Sequence, residues 1–146
     1  MPKLDLDAIE LVARTTYPMP FAADMTGRFG RMLCSLSDFG VAQVVMKPGA
    51  KSSHRAWSEA DDEFIVMLDG DGVLVEEECE TTLRPGDCIV FPKGVADGHY
   101  LVNRSNRDCT FLAIFTTANG TRHYPDIDLV WDGPSQRYTH KDGTPY

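Results

Sequence analysis

The chain has 146 residues, 14 Lys and Arg against 22 Asp and Glu for a net charge of −8, and is 42% hydrophobic, 25% charged and 10% aromatic. This composition suits one globular domain with its own core, excludes disorder over most of the length, and argues against a nucleic-acid or anionic-membrane partner. The longest apolar runs, Phe64 to Leu68 and Phe111 to Phe115, fall far short of a bilayer span.

Met1 to Glu10 alternates Asp and Leu with neither a basic stretch nor a long apolar one, so no secretory signal is read and a cytoplasmic location is expected. Asp5 to Arg14 sets Leu6, Ile9, Leu11 and Val12 among acids, which predicts a short helical turn. Residues 1–38 are expected to form an arm on the barrel that follows. From Phe39 onward the chain turns to short runs rich in Val, Ile and Phe, broken by Gly, Pro, Asp and Asn. Strands are predicted at Val41 to Met46, Glu63 to Leu68, Val73 to Glu77, Thr81 to Leu83, Cys88 to Phe91, Gly98 to Asn103 and Cys109 to Thr116. Between them stand the turns Lys47-Pro48-Gly49, Asp69-Gly70-Asp71-Gly72, Arg84-Pro85-Gly86-Asp87 and Pro92-Lys93-Gly94. There is no room for crossover helices, so residues 39–116 are predicted to be an all-β sandwich or small barrel. Residues 117–146 read as a polar C-terminal arm. Cys34, Cys79, Cys88 and Cys109 contain no Cys-x-x-Cys pair and are read as reduced packing residues.

Two segments carry chemistry. Gly49 through Gly70 contains Glu63; Gly86-Asp87-Cys88-Ile89-Val90-Phe91-Pro92-Lys93-Gly94 leads to His99 and Asn103. Together they resemble the two motifs of the cupin superfamily: a Gly, a His-x-His pair, a Glu and a Gly, then a Gly, a Pro-x-Gly turn, a His and an Asn. Tyr17-Pro18, Gly27-Arg28, Phe39-Gly40-Val41, Asp62-Glu63-Phe64, Tyr124-Pro125-Asp126 and His140-Lys141-Asp142-Gly143 extend the likeness to small single-domain bacterial cupins of the cupin-2 or sugar-phosphate-isomerase-like kind. The resemblance implies a double-stranded β-helix, a jelly-roll barrel whose interior holds a metal or small ligand.

In that family the His-x-His pair, the Glu and the second His converge on one metal, because alternate strand residues point into the barrel. Here the pair is absent. Counting back from Glu63 puts its positions at Ala56 and Ser58; counting forward from Gly49 puts them at Arg55 and Trp57. Glu63 and His99 remain as candidate catalytic acid and base, with His54 the candidate third ligand of a weak metal site. The expectation is a degenerate site without a required cofactor, the alternative being a divalent transition metal (Fe, Mn, Ni or Zn) on His54, Glu63 and His99. Ala56, Ser58, Arg55 and Trp57 are the candidate pocket residues. Each also has a structural reading: His99 bonded to a strand carbonyl, Glu63 paired with Arg55 or Arg84, Trp57 in the core, Asn103 closing a turn.

Three functions follow. The barrel holds a sugar or organic acid on which Glu63 and His99 perform a metal-independent isomerase, epimerase or lyase step; or it is a non-catalytic binding module or sensor; or it is a metal-dependent dioxygenase or isomerase. The expected partners are a small molecule and a second copy of the chain, with Tyr17-Pro18-Met19-Pro20-Phe21 as the apolar segment seeking a neighbour.

Overall fold

A computed structural model describes residues 3–146. Its strands are β1 (Arg28–Ser35), β2 (Phe39–Met46), β3 (Trp57–Ser58), β4 (Glu63–Asp69), β5 (Gly72–Val75), β6 (Glu80–Leu83), β7 (Cys88–Phe91), β8 (Tyr100–Val102), β9 (Cys109–Thr116), β10 (Arg122–Tyr124), β11 (Leu129–Asp132) and β12 (Arg137–Thr139). A five-stranded sheet runs β1-β2-β9-β4-β7, a three-stranded sheet β6-β5-β8 and a four-stranded sheet β12-β11-β10-β3. Every named pair is antiparallel. The fold is all-β, and among the described residues no helix is long and apolar enough to cross a membrane.

The inward residues of β2, β4 and β9 alternate with outward ones, and Val44, Met46, Ile65, Met67, Cys109, Phe111 and Ala113 meet Leu74, Leu83 and Leu101 of the smaller sheet in one core. Cys109 is fully buried, and burial pushes its thiol up to about 11, which keeps it an inert packing group. Gly70 makes the β4–β5 turn: its φ is +71°, and a Cβ there would lie 2.2 Å from the Asp108 carbonyl oxygen.

The arms differ from the expectation. β1 precedes residue 39 and pairs with β2 from Arg28↔Met46 to Ser35↔Gly40, so the barrel starts at Arg28. Its Arg-Phe-Gly-Arg opening lacks the alternation that marked the later strands; it is an edge strand held by its neighbour. Residues 117–146 contain β10, β11 and β12, which join β3 in one sheet. The N-terminal segment has 3-10 turns only, at Leu6–Ala8 and Phe21–Met25. Tyr17 lies edge-on to His54 and Tyr124, with ring centroids 5.0 and 5.7 Å apart, which ties the N-terminal segment to β10 and to the bend before β3.

Candidate functional site

Glu63 opens β4 directly opposite Phe91 of β7 and Phe115 of β9. Directly opposed residues share a face, and this row faces inward. His99 precedes β8 and is fixed by a two-way backbone bridge, its N–H donating to the Ala56 carbonyl at 3.0 Å and the Ala56 N–H to its carbonyl at 3.2 Å. Its ring lies flat on Phe91, centroids 3.4 Å apart and planes 2° from parallel. Phe91 thus holds the imidazole at Glu63, with Nε2 3.4 Å from Oε2. Nδ1 is 3.5 Å from the Asp97 carbonyl oxygen.

Both side chains line a cavity of about 590 Å³, large enough for a sugar-sized molecule. Ala56, Trp57 and Ser58 line it too. Ser58 is a structural hinge as well: its hydroxyl donates to Asp61 at 3.1 Å, and the Asp61 carboxylate accepts from the N–H groups of Ala118 at 2.9 Å and Gly120 at 3.0 Å. Trp57 stacks on His123, centroids 4.5 Å apart, and His123 Nε2 lies 2.7 Å from Glu59.

Arg55 and His54 are not brought to the cavity. The Arg55 guanidinium grips Asp126 at 2.7 and 2.8 Å, and that pairing holds the Asp126 carboxyl below the usual range. Arg55 therefore is not the partner of Glu63. His54 is buried in the bend before β3, with Nε2 2.9 Å from the Phe21 carbonyl oxygen and 3.8 Å from Asp24. It anchors the N-terminal segment.

That leaves Glu63 and His99 as the candidate metal donors facing the cavity. Among the described residues no three His, Cys, Asp or Glu side chains converge. One imidazole and one carboxylate do not fit a tightly held transition metal, which takes at least three protein ligands.

Asn103 is structural. With no exposed surface, its amide donates to the carbonyls of Met46 at 2.9 Å and Arg107 at 2.7 Å, and its oxygen accepts from Ser105.

Sequence reasoning missed Arg28 and Tyr17, which line the same cavity. Arg28 sits opposite the buried Met46 and so points inward; that signal exists only once the β1–β2 register is known.

A family model described as Cupin domain matches residues 42–115. The chain is similar to a crystal structure of a sugar phosphate isomerase from a cupin superfamily of Silicibacter pomeroyi: 41% identity, TM-score 0.92, covering 99% of this chain and 96% of that one. It is also similar to a polyketide cyclase from Streptomyces resistomycificus, at 17% identity and TM-score 0.67 over 80% of this chain and 79% of that one. A cupin-2 domain protein from Rhodospirillum rubrum matches at 15% identity and TM-score 0.62, over 79% and 74%. These two share the fold alone. No curated protein matches.

Proposed function

The chain belongs to the cupin family, and from that membership we propose that its barrel binds a small polar molecule, a sugar or organic acid, on which Glu63 and His99 act as acid and base without a metal. The observation that supports this is the pair itself: a carboxylate and an imidazole 3.4 Å apart, facing one cavity. At that distance their mutual hydrogen bond is long and weak, so both are available to a ligand in the cavity beside them. The Glu63 carboxylate takes a proton from a carbon next to a carbonyl, and His99 supplies one to the carbonyl oxygen. Returning the proton to the former carbonyl carbon while His99 takes the proton of the adjacent hydroxyl completes an isomerisation; delivering a proton to the other face of the original carbon while His99 takes back the proton it gave the carbonyl oxygen completes an epimerisation. The likeness to the Silicibacter pomeroyi protein described as a sugar phosphate isomerase supports this class of chemistry.

The test is deuterium incorporation in D2O, read by mass spectrometry, with glucose 6-phosphate, ribose 5-phosphate and galacturonate as probes. The unmodified protein incorporates deuterium beside the carbonyl of at least one probe, and Glu63→Gln or His99→Gln lowers the rate about a hundredfold or more. Unchanged rates in both variants would remove the proposal.

The second reading is a binding module or sensor. The small side chains at Ala56 and Ser58 favour it, since they leave room where larger ligands to a metal would stand. Calorimetric binding without deuterium exchange would select it. A homodimer and a cytoplasmic location belong to the same proposal, the latter supported by four unpaired cysteines.

A further inference from the structure

The cavity walls carry two kinds of charge, treated differently. Each of its carboxylates has a protein partner: Asp61 the N–H groups of Ala118 and Gly120, Asp62 the Lys93 N–H at 2.8 Å, Asp97 the Glu77 N–H at 3.2 Å, Glu76 the Cys79 thiol at 3.3 Å and Glu63 the His99 imidazole at 3.4 Å. Its arginines, Arg14, Arg28 and Arg122, have no carboxylate within 4.0 Å among the described residues. Elsewhere in this chain of 22 acids and 14 bases, Lys47, Arg55, Arg104 and Arg107 each have a carboxylate partner. The cations left without a counter-charge include those that face the cavity.

Arg28 is the most constrained of them. Its inward neighbour two residues on is Gly30, and a Cβ there would lie 3.2 Å from Arg28 Nη1; the guanidinium occupies the space a side chain would fill. Nε donates to the Ser52 carbonyl at 2.8 Å, which fixes the plane of the group. Nη1 and Nη2 have no acceptor among the described residues. Among the described residues no buried side-chain nitrogen or oxygen is sealed off without a partner, so these N–H groups keep accessible surface, and Arg28 lines the cavity. Burial lowers the Arg28 pKa, the sign of a cation held out of water without a counter-ion, although the group stays charged. Tyr17 and Tyr138 stand in the same wall.

Given the ligand-binding barrel proposed above, on which this step rests, the geometry points to an oxyanion site at Arg28. Arg28 grips a phosphate or carboxylate of the ligand through Nη1 and Nη2, with the exposed Arg122 and Arg14 adding positive charge to the lining of the same cavity. A planar fork with two free N–H edges matches a tetrahedral or planar oxyanion bidentately, and a cation already desolvated in the protein gains most from an anion that neutralises it. The ligand is thus a small anion: its charged group lies on Arg28, and its hydroxyl- or carbonyl-bearing part reaches Glu63 and His99.

Isothermal calorimetry at low ionic strength tests this with inorganic phosphate, galacturonate and neutral glucose as probes, against the full chain, Arg28→Gln, Arg28→Lys, Arg122→Gln and the exposed-surface control Arg137→Gln. The unmodified chain binds at least one of the two anions and binds it more tightly than glucose. Phosphate alone would assign a phosphate ester, galacturonate alone a carboxylate. Arg28→Gln weakens the bound anion about tenfold or more, and Arg28→Lys, with a point charge in place of the fork, by a smaller factor. Arg122→Gln weakens it several-fold without touching the Ser52 contact, so the proposal stays testable if Arg28→Gln does not fold. Arg137→Gln changes nothing. The proposal is overturned if neither anion binds in the millimolar range, if glucose binds as well as both, or if the Arg28 and Arg122 variants bind like the unmodified chain. The two readings separate on the unmodified chain: anion binding that the Arg28 and Arg122 variants weaken, without any deuterium exchange, keeps this site and removes the acid–base proposal, whereas exchange with no preference for an anion does the reverse.

Discussion

Asn103 and Glu63 are both polar residues of the barrel, and their surroundings assign them opposite jobs. Asn103 has all its amide groups bonded inside the protein and closes the turn before β9. Removing it takes the amide donor from the Met46 carbonyl and leaves the Arg107 carbonyl with the Ser105 hydroxyl alone. Asn103→Ala is therefore expected to cost about 2–4 kcal/mol of folding free energy, read as a lower urea midpoint with an unchanged m-value. A midpoint within error of the unmodified chain would show that the amide is dispensable. Glu63 faces a cavity and has His99 as its one side-chain partner. Its replacement by Gln is expected to alter exchange chemistry far more than stability. A polar side chain satisfied by backbone is structural; one aimed at an opening is available to a ligand.

The segment from Lys51 to Ser58 decides what the site can hold. Of the two registers open in the sequence, Ala56 and Ser58 line the cavity, while Arg55 turns outward to Asp126. Trp57 also lines it, against the strict alternation of a strand, because β3 is only Trp57–Ser58 and ends at the Asp61 hinge. Ala56 is bridged to His99, so an imidazole in its place stands beside the existing donors. Ala56→His is expected to raise bound zinc or nickel toward one per chain, measured by elemental analysis after dialysis, because it completes a three-ligand set. A folded variant that stays metal-free would show that position 56 does not aim at Glu63. Ser58→His is a poorer choice. Ser58 Oγ lies 2.9 Å from where a Gly120 Cβ would stand and is tied to Asp61, so a larger group there breaks the hinge.

At the scale of the molecule, the inner face of the five-stranded sheet covers the core and its outer face carries Phe64, Val90 and Ile114 as direct cross-strand neighbours. Val90 is 65% and Leu68 43% exposed. Apolar rows of this kind on a sheet face mark an association surface. The Tyr17-to-Phe21 segment named from the sequence is engaged within its own chain, against His54 and Tyr124, so the sheet face is the better candidate for the homodimer. Light scattering at micromolar concentration is expected to give twice the 16.2 kDa chain mass, and Val90→Lys to shift it toward the monomer. A monomer mass for the unmodified protein across that range would remove the dimer.

The barrel was legible in the sequence because its signals are local. Gly and Pro turns between short β-branched runs define strands β2, β4, β7 and β9 at nearly their observed bounds, and Glu63 and His99 stand out by their places in the two motifs. The two motifs named the family for the same reason, since each is a contiguous stretch of chain. What stayed hidden depends on register and on contacts distant in sequence. β1 is recognisable only through its pairing with β2, and the C-terminal strands only through β3. The inward aim of Arg28 follows from its place opposite Met46, and the outward aim of Arg55 from an acid 71 residues away. Side-chain type is written along the chain, but whether a charge finds a partner or is left facing a cavity is fixed only when separate segments meet.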